Sequence, residues 1–436
     1  MKVSTEYDLA ILGGSWSSRR AALQAARQGA RIALIAPSWE INNAAEYSFQ
    51  AIRQCNASCL STWRDMRAWF DALCRYRELD SAMLRVQGID VILATSQFSV
   101  NQHLTVDERP LKATHYLLTD GYEFTATPDF KDSLQYYQLM QLDTLPTSIA
   151  IIGSGASVVE WAYALNQFTK VNVFCNSPLL LPAEDIDIQR LMEAQLRSVG
   201  VTINFVDGDL DNNQLATISE TESVVLVPKS RLNHKGLSLA QLGVDPDKNI
   251  VANCYLQTQF PQLYVTGDCL GGEQRPELTQ QETSVALDNA LFRRRRPMHY
   301  ETVSYSIQGV SPLGRWGLTE NQARCRYGTR VEVFQASCLP ITPSHSAQIN
   351  FCKLLTLDNH LIGIHLLGEG ASTLTKGFRA SLTIPALAKW TVKHVQSGTV
   401  YEAIHQAIAQ WENNRWQPGK WRRDWAENWF HWRRSL

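Results

Sequence analysis

One stretch constrains the fold more than any other: residues 147–165, TSIAIIGSGASVVEWAYAL. It begins with the apolar run Ile149 to Ile152, whose length and β-branched content are typical of a buried strand. Gly153 and Gly155 follow at once, and apolar residues then recur at helical spacing. Such glycines allow a tight turn, and the helix N-terminus offers N–H groups to a pyrophosphate. The stretch predicts a dinucleotide-binding turn that contains Gly153 and Gly155.

A weaker copy of this pattern lies near the N-terminus. Leu9 to Leu12 is predicted to form a strand, Arg19 to Gly29 a helix, and Arg31 to Ala36 a second strand. Strand, helix and strand in this order make a complete βαβ half-unit. We expect it to begin a dinucleotide-binding domain.

The glycine pattern of this N-terminal turn is altered. In the register of G-x-G-x-x-G, the three glycine positions are Gly13, Ser15 and Ser18. The acidic residue that would hold a ribose at the end of the second strand is replaced by Ala36. Two interpretations are open. Either the turn binds a dinucleotide through Gly13, Gly14, Ser15 and Ser18, or the βαβ unit is retained only as part of the fold and binds no ligand.

The composition excludes several function classes. A chain of 436 residues has room for about two to four domains. Its net charge of −1 argues against a nucleic-acid partner. The nine cysteines are scattered without a C-x-x-C, which predicts a reducing cytoplasm and no metal site. No apolar run approaches the roughly 20 residues that span a bilayer, and no signal peptide is recognised.

Several motifs in a fixed order resemble the flavin-dependent pyridine nucleotide-disulfide oxidoreductases, the group of dihydrolipoamide dehydrogenase, glutathione reductase and mercuric reductase. The motifs are YDLAILGG at 7–14, the Gly153 turn, LYVTGD at 263–268, GLTE at 317–320 and LIGIHLLG at 361–368. The resemblance implies an α/β fold with two Rossmann-type domains, for FAD and NAD(P), and a C-terminal α+β interface domain. It also implies a homodimer.

The resemblance sets the expected domain boundaries. They are 1–146 for the first FAD-binding segment, 147–232 for a trimmed NAD(P)-binding-like domain, 233–298 for the second FAD-binding segment, 299–410 for the interface and dimerisation domain, and 411–436 for a tail.

Three further residues are cofactor candidates through the resemblance. An aspartate at the position of Asp268, after Gly267, hydrogen-bonds the ribityl chain of the flavin in that family. Thr279 begins a stretch that resembles the helix covering the flavin. We therefore expect Gly267, Asp268 and Thr279 to contact FAD.

The second nucleotide turn also departs from the family. Val158 replaces the third glycine, and Cys175 replaces the acid that ends the second strand. No arginine follows Cys175 closely, so NAD and NADP are not distinguished. Glu160 is retained, but its usual lysine partner corresponds to Phe49. If Glu160 is buried, Arg53 is a plausible partner, because a lone buried carboxylate is costly.

The redox cysteines of the family are missing at their expected positions. A C-x4-C pair follows the second strand in that family, and Glu40 and Ala45 hold those positions here. Cys55 and Cys59 lie downstream in a predicted helix. Cysteines spaced i, i+4 on a helix rarely reach disulfide geometry, so we interpret them as buried thiols rather than a relocated pair.

The acid–base element of the family is altered as well. It has the form H-P-T-x-x-E, and here Thr399 and Glu402 fit, while Ser397 and Gly398 replace histidine and proline. No catalytic residue is assigned, and the sequence predicts a protein without disulfide exchange.

Two function classes follow from these observations. One is a divergent flavoprotein oxidoreductase that passes electrons from NAD(P)H through FAD to a quinone-like or other acceptor. The alternative is a catalytically inactive descendant that acts as a scaffold, sensor or assembly factor.

The tail, residues 411–436, has an unusual composition. It holds six tryptophans, six Lys or Arg and three Asp or Glu. On a helical wheel, Trp421, Trp425, Trp429 and Trp432 lie within about 80° of one another. Three interpretations are open: the helix packs on the protein's own core, it lies on a membrane surface, or it binds a protein partner. We expect a cytoplasmic protein, membrane-associated under the second interpretation.

Overall fold

A computed structural model gives the fold of two compact units. Unit 1 is Met1–Pro182 with Gly200–His299, and unit 2 is Ala183–Val199 with Tyr300–Leu436. The structure describes residues 6–37, 52, 62–77, 79–119, 122–123, 134, 136–206, 218, 223–226, 231–232, 236–244, 250–270, 275–292, 295–341, 347–378, 383–391 and 396–435.

The described strands are β1 (Tyr7–Leu12), β2 (Ile32–Ala36), β3 (Ile89–Leu93), β4 (Ser96–Phe98), β5 (Leu104–Val106), β6 (Arg109–Leu111), β7 (Ala113–Leu118), β8 (Tyr122–Glu123), β9 (Ser148–Ile152), β10 (Lys170–Cys175), β11 (Thr202–Phe205), β12 (Ser223–Leu226), β13 (Arg231–Leu232), β14 (Leu263–Val265), β15 (Ser304–Ile307), β16 (Leu313–Gly317), β17 (Glu332–Cys338), β18 (Asn350–Leu357) and β19 (His360–Leu367).

The described α-helices are α1 (Trp16–Arg27), α2 (Trp63–Arg77), α3 (Ser81–Val86), α4 (Tyr136–Leu139), α5 (Ala156–Leu165), α6 (Ile186–Ser198), α7 (Pro276–Phe292), α8 (Glu320–Tyr327), α9 (Ala371–Thr375), α10 (Ile384–Thr391), α11 (Val400–Arg415) and α12 (Trp421–Arg434).

Unit 1 contains two parallel sheets. The first has the strand order β14-β7-β1-β2-β3, and every neighbouring pair in it is parallel. The second has the order β11-β10-β9-β12, again all parallel. Parallel strands place their carboxyl ends at one edge, where open α/β sheets bind ligands. The turns after β1 and β9, which were predicted from the sequence, therefore lie at such edges.

Unit 2 is built on an antiparallel sheet of order β15-β16-β19-β18-β17. Helix α11 packs against β17 and β18 and buries Val400, Ile404 and Trp411 in their shared core. Two parallel sheets and a C-terminal α+β unit confirm the predicted fold class. Trp411, the first tryptophan of the expected tail, is a core residue on α11.

A cluster of charged side chains surrounds the buried Lys353 in unit 2. The Lys353 side chain on β18 is 2% exposed, and its Nζ lies 2.9 Å from Asp187, 2.9 Å from Glu320 and 3.2 Å from Asp185. Asp185 also accepts a hydrogen bond from the Glu320 N–H at 2.9 Å. The cluster joins the start of α6, the start of α8 and the sheet. His365 lies beside it, and burial, with the nearby charge of Arg315, lowers its pKa to about 3, so the imidazole is neutral.

Candidate functional site

The turn after β1 has the backbone conformation of a nucleotide-binding turn, but a side chain of the turn, Ser15, caps the helix that follows. Gly13 has φ 139, which side chains rarely adopt, and its N–H donates to Ile35 O at 2.9 Å. Ser15 is the N-cap of α1, and its Oγ accepts the Ser18 N–H at 3.2 Å. This cap is why α1 begins at Trp16, three residues before the helix predicted from Arg19. The N–H groups of Trp16 and Ser17 remain for an anion, since first-turn amides have no partner within the helix.

Arg19 lies fully buried beside this turn. Its Nε donates to Gly14 O at 2.9 Å and its Nη1 to Leu79 O at 3.3 Å. The guanidinium thus adds a fixed positive charge next to the helix N-terminus, where a pyrophosphate would bind. This role of Arg19 was not predicted from the sequence. Its signal is the helical spacing of Arg19 with the buried Ala22, which places a charge on the apolar face of α1.

Four site residues meet where β7 and β14 end. Ser18 Oγ and Thr119 Oγ1 are hydrogen-bonded at 2.6 Å. Gly267 is packed so closely that a Cβ there would lie 2.9 Å from Cγ2 of Thr279 and 3.7 Å from Thr119 O. The structure therefore brings Ser18, Gly267 and Thr279, three of the residues predicted to contact FAD, close together. The side chain of Asp268 lies outside the described part of the chain.

Glu282 is a buried acid at the same place. The Gly267 N–H donates to its Oε2 at 2.6 Å, across one turn of α7 from Thr279. Glu282 was not predicted as a site residue, because an acid within a predicted helix more often faces solvent. Its carboxylate fixes the turn that carries Asp268.

The turn after β9 is capped differently. Gly153 has φ 145, and Gly155 is the N-cap of α5 with no side-chain cap. The Gly155 N–H donates to Leu180 O at 2.7 Å, so the first-turn amides of α5 are the groups that could meet a pyrophosphate. At the end of β10, the Cys175 thiol donates to Ser177 O at 3.3 Å. Because the Cys175 thiol donates to a carbonyl of its own turn, it does not take the place of the carboxylate that holds a ribose in the family.

Glu160 on α5 is paired with Arg275. Both side chains are buried, and Arg275 Nη1 lies 3.6 Å from Glu160 Oε1. Arg275 directly precedes α7, which carries Thr279. The pair therefore joins the helix of the second turn to the helix that packs on the first site. Phe49 and Arg53 lie outside the described residues, so the suggested partnership of Arg53 is untested.

The residues present fit dinucleotides mainly through main-chain groups. At each turn, a glycine of positive φ ends a parallel strand and a helix N-terminus follows. Arg19 adds positive charge at the turn after β1. The departures concern ribose contacts, since Ala36 and Cys175 offer no carboxylate.

The expected acid–base position has a different geometry. Gly398 has φ 68, and its N–H donates to Glu402 Oε2 at 2.6 Å. Proline requires φ near −65° and has no N–H, so this backbone cannot hold the proline of the family motif. Glu402 binds the main chain where the family would orient a histidine. Glu40, Ala45, Cys55 and Cys59 lie outside the described residues.

The described residues contain no group of three or more His, Cys, Asp or Glu placed to hold a metal ion. Among the same residues, no helix combines the length and the apolar character needed to cross a membrane.

The tryptophans of α12 are not packed on a core. Trp421, Trp425, Trp429 and Trp432 are all exposed, and Ala426 is the residue of this helix that is buried. The interpretation that these four tryptophans dock on the protein's own core is therefore wrong.

Comparisons with known proteins agree with this architecture. A family model described as "Pyridine nucleotide-disulphide oxidoreductase" matches residues 7–286. A dihydrolipoyl dehydrogenase of Bacillus subtilis (strain 168) is 27% identical over 271 residues, which are 56% of this chain and 58% of that protein. A mercuric reductase of Staphylococcus aureus is 23% identical over 84% of this chain and 75% of its own length.

A solved structure extends the likeness to nearly the whole chain. The Cu(II) complex of the HOCl-induced flavoprotein disulfide reductase RclA from Escherichia coli has a TM-score of 0.72 at 19% identity. The match covers 93% of this chain and 100% of that chain. The FAD and NAD(P) predicted from the sequence are the cofactors of this group. The chain belongs to the pyridine nucleotide-disulfide oxidoreductase family of flavoproteins.

Proposed function

We propose that this protein is an FAD-dependent oxidoreductase that uses NAD(P)H and does no disulfide chemistry. Its acceptor would be a quinone or another small oxidant that takes electrons without a thiol. The proposal depends mainly on the pair of nucleotide turns in unit 1, which are joined through Glu160 and Arg275. In unit 2, the Gly398 N–H donates to Glu402 at the position where the family has its acid–base histidine and proline.

The residues of the FAD turn have separate tasks. Gly13 and Gly14 allow close approach of the main chain, and Arg19 supplies charge for the pyrophosphate. Ser15 and Ser18 shape the turn, the latter through its bond to Thr119. Gly267, Asp268 and Thr279 would contact the flavin. When bound, FAD supplies a two-electron acceptor for hydride.

The second turn would hold the nicotinamide nucleotide through Gly153, Gly155 and the N-terminus of α5. Glu160 would then act as a positioning residue, because its pair with Arg275 fixes α5 against the start of α7. A fixed relation between these helices supports hydride transfer, which depends on the geometry of donor and acceptor.

Two separate parts of the chain support the proposal that this protein has no redox dithiol. Glu40 and Ala45 replace cysteines in the sequence. Gly398 and Glu402 bind one another where an imidazole would be oriented. The thiolate and its base act only as a unit, so their joint loss favours an acceptor that needs neither.

The test is the oxidation of NADH and NADPH by a soluble benzoquinone, measured with the purified chain. We expect turnover with a bound flavin spectrum. Gly155→Val should abolish turnover and keep the flavin, since it fills the second turn alone. Gly419→Val is the matched control, because Gly419 also has positive φ (80) and no neighbour within 4 Å of a Cβ. Equal turnover in Gly155→Val and parent would contradict the proposal.

The alternative is an inactive descendant that serves as a scaffold, sensor or assembly factor. The Ser15 cap on the Ser18 amide favours it, since this cap takes a donor that a pyrophosphate could use. A colourless protein that cannot be reconstituted with FAD would support this alternative.

Two contact surfaces complete the proposal. A homodimer through residues 299–410 is supported by the retained antiparallel sheet of unit 2. The tail would contact a membrane surface or a protein partner, because its exposed aromatic face needs cover.

A further inference from the structure

The outer face of α12 is a continuous aromatic surface. Trp421 is 72% exposed, Trp425 60%, Trp429 44% and Trp432 54%. The rings of Trp425 and Trp429 stack with centroids 6.0 Å apart and planes at 7°, and Trp429 lies 5.0 Å from Trp432. These contacts arrange the indoles before any partner binds. A patch of this kind marks an interaction site.

Positive charge borders the aromatic face. At 100° per residue, Arg422 and Arg433 follow the tryptophan arc directly, and the guanidinium of Arg422 lies 5.4 Å from the ring of Trp421. With six Lys or Arg and three Asp or Glu, residues 411–436 carry a net charge of +3 within a chain of −1. The tail thus complements an anionic surface.

The types of apolar residue on α12 favour a lipid surface over a protein groove as its partner. Residues 421–434 contain no Leu, Ile, Val or Met, the aliphatic anchors that fill a protein groove. Tryptophan favours the zone between lipid headgroups and acyl chains, where its ring is buried and its N–H still finds acceptors. A second copy would bring Arg422 and Arg433 close to their own equivalents in a two-fold contact, which like charges oppose.

We infer that α12 is an anchor that lies in the plane of an anionic phospholipid surface. It inserts its tryptophans below the headgroups and leaves its arginines among the phosphates. A helix of 14 residues is about 21 Å long, enough to lie along the surface but too short to cross it. This inference rests on the proposed membrane contact of the tail and is independent of the proposed redox activity.

The test is co-sedimentation of the full chain with vesicles of phosphatidylcholine and phosphatidylglycerol at about 3:1, compared with phosphatidylcholine alone. Binding to the anionic vesicles with a blue shift of tryptophan emission is expected. Arg422→Gln/Arg433→Gln should weaken it about 30-fold, from about 1 kcal/mol for each charge. Trp425→Ser/Trp429→Ser should abolish it. Leu339→Gln/Val251→Gln, two exposed apolar residues elsewhere, should bind like the parent.

Three outcomes would overturn the inference. They are no binding of the parent to anionic vesicles, equal binding by the tryptophan variant, and self-association in solution that the tryptophan variant loses, which would identify a second copy. Melting temperature and flavin content, measured on the same preparations, should be equal in parent and variants. A colourless protein that still binds vesicles would contradict the redox proposal and leave the anchor supported.

Discussion

Replacing the buried Lys353 with methionine removes the central cation of the charged cluster in unit 2. Its Nζ lies within 3.2 Å of carboxylate oxygens of Asp185, Asp187 and Glu320. Removing one partner of a buried ion pair costs about 3–5 kcal/mol. The side chains of Asp187 and Glu320 are 26% and 30% exposed and can turn toward water, whereas Asp185 is 4% exposed. We therefore expect a loss near the lower limit, about 3 kcal/mol in the free energy of unfolding.

The assay is thermal unfolding of the full chain, followed by circular dichroism. A loss of about 3 kcal/mol should lower the Tm of unit 2 by about 6–12 °C. Lys376→Met is the matched control, since Lys376 lies on the exposed surface of the same unit, and its Tm should change by less than about 2 °C. A Tm for Lys353→Met within 2 °C of the parent would refute the reasoning.

The difference in Tm between the parent and Lys353→Met should also depend on pH. Burial raises the pKa of Glu320, but the hydrogen bonds from Lys353 and Arg324 outweigh it, and the pKa falls below the ordinary 4.5. A carboxyl group whose pKa is lower in the folded than in the unfolded protein stabilises the fold fully at pH values above its unfolded pKa. This stabilisation is lost as the pH falls through the folded pKa. The Tm gap between parent and Lys353→Met should therefore be complete at neutral pH and narrow below about pH 4.5. A gap that widens in acid would contradict this sign.

Four further predictions concern the candidate site and the proposed absence of a redox dithiol. Asp268→Ala should sharply lower the flavin content of the purified protein, measured by absorbance after denaturation; equal content would remove Asp268 from the FAD site. Arg275→Met should cost about 3 kcal/mol in unfolding free energy, because it takes the cation from buried Glu160; an unchanged Tm would mean that the pair is not stabilising. Gly398→Pro should cost about 3 kcal/mol or more, because proline cannot adopt φ 68 or donate to Glu402; a normal Tm would show that the family's proline is compatible here. Lipoamide, glutathione and mercuric ion should not be reduced, and turnover that Cys55→Ser or Cys59→Ser abolishes would show that the helical pair is redox-active.

The sequence predicted the parts of the fold that depend on local pattern. The strand before Gly153, the strand before Gly13 and the helices after them all form, because buried strands, glycine turns and amphipathic helices have signatures within a few residues. Helix α1 begins three residues before the predicted Arg19, because the Ser15 side chain caps the Ser18 N–H and a hydrophobic pattern does not contain such a cap.

Contacts between distant segments could not be read in the same way. Arg275 is far from Glu160 in the chain, and nothing local marks it as the partner. Glu282 becomes a site residue only because α7 brings it to the Gly267 N–H. Such pairings depend on tertiary packing, which periodicity does not contain.

Anaerobic reductive titration of the purified protein with dithionite shows directly whether this flavoprotein has a redox disulfide. A flavin alone takes up two electrons, and a flavin with a redox disulfide takes up four. We predict an oxidised flavin spectrum that is fully bleached by one two-electron equivalent per flavin. Uptake of four electrons per flavin, with thiols appearing at the same time, would contradict the account.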